Sequence, residues 1–168
     1  MIIGGDGLPL ELRQLLGGAG EGERNRFKSD SSLLPHWEQM LGLEKDLIAL
    51  LVYARMINSS DEDGANIEPF VSAVIDRFFI LMEQEPDRKM LDAASVLLGE
   101  FRLHSANHLY IKRFAEHFKD RMTPAVAFYL HSRVQSDSFG GREAKEAVFN
   151  AIPEELQILF DLYVQAMD

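Results

Sequence analysis

Apolar residues recur along this chain at intervals of three and four, and no segment sustains an alternation of two. That periodicity predicts helices throughout. The prolines mark where the helices begin. Proline suits the first helical turn, where its missing N–H would have no partner anyway, and each of Pro9, Pro35, Pro69, Pro86, Pro124 and Pro153 precedes a helix-like pattern. A short first helix, Pro9 to Leu16, is expected to stop at Gly17-Gly18. Glycine and serine then dominate to Ser32, so residues 1–32 read as a short helix plus a flexible segment and 33–168 as a single helical domain.

A second helix is expected from Pro35 to Ile57, with Met40, Leu43, Leu47, Leu50, Leu51 and Ala54 on one stripe. A third covers Glu68 to Gln84, with Val71, Val74, Ile75, Phe78 and Met82 inward. From Pro86 the stripe Ala94, Leu97, Phe101, His104, His108, Ile111, Ala115 and Phe118 runs to Asp120. A bend or break near His104 to Asn107 is favoured, because one helix of that length greatly exceeds the usual. The fifth helix, Pro124 to Gln135, has Thr123 as its N-cap and buries Val126, Ala127, Leu130 and Val134. A sixth spans Arg142 to Ala151, and a seventh, Pro153 to Met167, buries Leu156, Leu159, Phe160, Tyr163 and Met167. The fold class expected is all-α, a compact bundle of about six to seven helices in two layers. Trp37 is assigned to a surface or a dimer contact.

Composition narrows the function. Hydrophobic residues make up 46% of 168, enough for a folded core. With no cysteine there is no disulfide framework, zinc–thiolate site or thiol nucleophile. The longest apolar run, Leu47 to Ala54, is too short to span a bilayer, and the N-terminus resembles no secretory leader. A soluble cytoplasmic protein is expected. The net charge of -10 disfavours nucleic acid and anionic membranes and favours basic partners. Asp61, Glu62, Asp63 and Glu68 form a run without a base, a candidate surface for a protein partner.

One cluster could carry chemistry. Glu100, His104 and His108 at i, i+4 and i+8 would share a helix face, and His131 could join them from a facing helix. Such a set could bind iron or manganese. The same histidines could instead be hydrogen-bonded core residues. The stretch Thr123 to His131, then Asp137, then Gly140-Gly141, resembles the last third of haem-oxygenase-like helical proteins, a superfamily that includes thiaminase-like proteins and non-haem di-iron oxidases. Their iron-binding members carry a His, an acid about four residues on, and a second His. His131 would match the first, but Gln135 stands at the acid's place, Asp137 is out of register and no His follows. The resemblance therefore implies the fold more than the metal.

Other motifs fail. A calcium loop around Asp61-Glu62-Asp63-Gly64 would need Glu where Phe70 stands. Gly4-Gly5-Asp6-Gly7 follows no strand and lacks a lysine, so it is no phosphate loop. The reading favoured by elimination is a non-enzymatic interaction protein with no cofactor, binding a protein partner as regulator, adaptor or immunity-type inhibitor; a homodimer is compatible with it. The alternative is a haem-oxygenase-like metal-dependent oxidoreductase or small-ligand-binding protein with its site in the bundle core.

Overall fold

The computed structural model describes residues 31–58, 67–85, 89–101 and 103–167. Among them every regular element is helical. The α-helices are α1 (Leu34–Leu43), α2 (Leu50–Asn58), α3 (Glu68–Glu83), α4 (Met90–Leu97), α5 (His104–His117), α6 (Pro124–His131), α7 (Gly141–Ala151) and α8 (Gln157–Met167), with 3-10 turns at Ser31–Leu33, Leu47–Ala49 and Glu154–Leu156. No helix among the described residues is long and apolar enough to cross a membrane. The expected first helix lies outside the described residues. By contacts the chain divides into two compact units, Met1–Arg88 and Lys89–Asp168, a division that the sequence reading of one body over 33–168 does not contain.

In the first unit, α1 and α2 both pack on α3. Pro35 and Pro69 sit in the first turns of α1 and α3. The continuous helix expected from Pro35 to Ile57 is interrupted. Glu44 turns extended after α1. Asp46 then caps a new start, its carboxylate accepting the Ile48 N–H at 3.0 Å. Arg77 of α3 donates to the Glu44 carbonyl, through Nε at 3.1 Å and through Nη2, which satisfies the backbone at the break. The restart re-phases the stripe, so Leu47 and Leu50 are buried while Leu43 and Ile48 are exposed.

Trp37 occupies the centre of this unit, not a surface. It is fully buried, and its ring meets Tyr53 and Phe70 edge-on at centroid separations of 5.0 and 5.7 Å. Its indole N–H donates to the Phe70 carbonyl at 3.0 Å. An aromatic with a polar handle is buried where that handle finds an acceptor. The start of α3 supplies it.

In the second unit, α5 packs on α7, and α6 packs on both α7 and α8. The expected break between two helices is present. It lies between Leu97 and His104, slightly ahead of its anticipated place, and turns on Gly99 at φ +83°. The Asn107 side chain accepts the Gly99 N–H at 3.2 Å. Tyr110 anchors α4 to α5 by donating to the Ala94 carbonyl at 3.0 Å. Thr123 caps α6 as expected, accepting from Val126 N–H. Gln157, the first residue of α8, donates to the Ile152 carbonyl at 3.2 Å and so closes the end of α7.

Two predictions follow from these cores. Trp37→Phe keeps most of the ring packing but removes the indole hydrogen bond to the Phe70 carbonyl, so it should cost about 0.5–1.5 kcal/mol in urea unfolding; an unchanged midpoint would contradict the bond. Burial first, then the hydrogen bond to and charge of Glu44, raises the Tyr53 phenol above its ordinary value of 10.0. Burial raises Tyr110 as well. The folded chain therefore holds these protons more tightly than the unfolded chain does. The associated stability is intact below about pH 10 and declines as pH rises beyond it. Tyr53→Phe should make that alkaline decline shallower in a pH series of thermal melts.

Candidate functional site

The residues proposed as metal ligands do not form one set. Glu100 lies in the break ahead of α5, so it is not in helical register with the two histidines that follow. His104 opens α5 and is exposed. Its ring stacks on that of His108 at 6.1 Å between centroids. His131 ends α6 and meets Phe160 of α8 edge-on at 5.6 Å. Among the described residues no group of three or more His, Asp or Glu is placed to hold a metal ion.

His108 has another task. It is buried, with 1% of its surface exposed, and both ring nitrogens are engaged. Nδ1 lies 3.0 Å from the Phe139 carbonyl, and Nε2 lies 2.9 Å from the Gln135 N–H. A carbonyl can only accept and an N–H can only donate. The pair therefore fixes a neutral imidazole with its proton on Nδ1. One side chain closes the loop between residues 135 and 139, leaving no lone pair on His108 for iron or manganese. The donors present do not fit the metal set.

The glycines after it complete the loop. Gly140 has φ +82°, and a Cβ there would sit 3.5 Å from that of His108. A Cβ on Gly141, the first residue of α7, would run into the Gln135 carbonyl oxygen. The Gly-Gly pair is thus required by a loop folded tightly against α5. Phe139, whose carbonyl is held by His108, has its side chain 86% exposed.

The second feature is on α8. Phe160 is buried, meeting His131 and, at 6.3 Å, Phe149 of α7. Ile158, Leu159, Leu162 and Tyr163 are exposed, by 74%, 42%, 56% and 45%. Leu159 and Tyr163 were expected inward. Phe160 is inward as expected, and at 100° per residue Ile158 and Leu162 then fall on the opposite side, with Leu159 and Tyr163 between. The sequence signal was available in apolar residues at 158, 159, 160, 162, 163 and 164, a helix apolar nearly all round.

Of the acidic run, Asp61, Glu62 and Asp63 lie outside the described residues. Glu68 is exposed in the first turn of α3, where its charge suits the helix dipole.

Removing the His108 ring should open the loop. His108→Ala should cost about 2–4 kcal/mol, since two backbone groups lose their partner and a cavity forms, and amide exchange at Gln135 should accelerate. Nitrogen chemical shifts should show the Nδ1–H tautomer; an Nε2–H ring would contradict the arrangement.

No family model matches the chain, and neither a curated protein nor a solved structure does.

Proposed function

We propose that this chain is a non-enzymatic interaction protein that docks a protein partner through the outer face of α8. One observation carries the reading: four large apolar side chains, Ile158, Leu159, Leu162 and Tyr163, are exposed side by side on a single helix. Isolated surface leucines are ordinary, whereas a contiguous apolar strip on a helix is characteristic of an interface. The inner side of α8 is anchored by Phe160 and by Gln157, so the strip is preorganised and little ordering accompanies docking. The acidic run Asp61, Glu62, Asp63 and Glu68 adds to the negative field that draws a basic partner in, an effect on association rate more than on affinity.

A photo-cross-linking residue in place of Leu162 should give one discrete, near-stoichiometric adduct in cells. The same probe at exposed Glu146 of α7 should not. The double substitution Ile158→Ser/Leu162→Ser should abolish partner capture while changing stability by no more than about 0.5 kcal/mol each, as expected of exposed positions. Equal labelling from positions 162 and 146, or a loss of stability well above that figure, would show that the strip is not a docking face.

A further inference from the structure

We infer that the occupant of the α8 face is a basic amphipathic helix of another protein; the inference rests on reading α8 as a docking face. The shape of the strip comes first. Ile158 and Leu162 are one turn apart, as are Leu159 and Tyr163 beside them, so the exposed apolar surface consists of two short rows parallel to the helix axis. Rows at this spacing are the ridges into which another helix sets its own side chains. α8 has 11 residues, which gives it a length of about 16 Å, sufficient for two or three turns of a partner helix.

Charge then selects among helices. From residue 146 to 168 the chain carries Glu146, Glu154, Glu155, Asp161 and Asp168 and not one lysine, arginine or histidine. Glu154 and Glu155 are exposed in the 3-10 turn that leads into α8, and Asp161 is exposed midway along it. The two glutamates also suit the dipole at the start of the helix. Asp161, in the middle, has no such benefit, and its charge is open to a partner. A helix with an apolar stripe flanked by Lys or Arg would match both the rows and this acidic border.

The same border disfavours the other occupants. A second copy packed across α8 by a twofold axis would bring the same acidic residues of both chains to one interface, with no base in the stretch to compensate. A membrane surface calls for Lys or Arg on the polar face of such a helix, and α8 has neither. Nucleic acid is repelled for the same reason.

The test titrates the full chain with three labelled peptides of about 18 residues, long enough to form a helix on docking. The first has a leucine stripe flanked by lysines, the second carries glutamate for each lysine, and the third is the lysine peptide scrambled to destroy the stripe. The lysine peptide should bind about tenfold more tightly than either other peptide. Ile158→Ser/Leu162→Ser should weaken it about tenfold. Glu154→Gln/Glu155→Gln/Asp161→Asn should weaken it about threefold and flatten its salt dependence. If the glutamate peptide binds as well and depends equally on Ile158 and Leu162, the basic partner is overturned and the docking face stands. If the lysine peptide is indifferent to the double serine variant, its binding is diffuse attraction to an acidic chain and both readings fall. If sedimentation finds a dimer that the double serine variant dissolves, the occupant is a second copy. If no peptide binds, the basic helix is overturned, while cross-linking from position 162 still decides the docking face.

Discussion

Two hydrogen bonds from one imidazole hold the segment between α6 and α7 in shape. His108 donates from Nδ1 to the Phe139 carbonyl and accepts at Nε2 from the Gln135 N–H. Because the two backbone groups have opposite hydrogen-bonding character, only a neutral ring in one tautomer satisfies both. The remainder of the loop is built around that ring. Gly140 adopts a left-handed backbone beside the His108 Cβ, and Gly141 begins α7 where the Gln135 carbonyl leaves no room for a side chain. A buried polar side chain is expensive unless every lone pair and proton is matched. His108 meets that condition through backbone groups alone.

This arrangement changes the meaning of the histidine pattern in the sequence. His104 and His108 do lie one turn apart on α5, as the spacing implies, and their rings stack. Spacing on one helix fixes only that neighbourhood. It does not reveal which backbone groups from α6 and α7 will approach the ring. Those groups take both of its nitrogens, and the position that looked most like a ligand is a structural clasp. Glu100 falls out of the pattern for a local reason. Gly99 turns the chain just before it, and helical register does not survive that turn.

Much of the helical framework was legible because its signals are local. Pro35, Pro69 and Pro124 stand in the first turns of their helices, Thr123 caps α6, and α3 buries the five residues its periodicity selected. The two main departures are tertiary in origin. A stripe that looked continuous from Met40 to Ala54 is interrupted, since Asp46 can cap a new helix and Arg77, 33 residues away in sequence, supports the break. Trp37 is central because the Phe70 carbonyl, also 33 residues away, accepts its N–H. Neither partner can be inferred from the neighbouring residues.

The apolar pattern of α8 has a different standing, because periodicity alone could not determine its orientation. With apolar residues on nearly every side, the helix offers several inward faces of similar hydrophobicity, and packing decides among them. Phe160 fills the space between His131 and Phe149, which turns Ile158 and Leu162 outward. Ring contacts of this kind add about 0.5–1.5 kcal/mol beyond the burial of area alone. What remains exposed is the strip of Ile158, Leu159, Leu162 and Tyr163, with Asp161 exposed on the same helix.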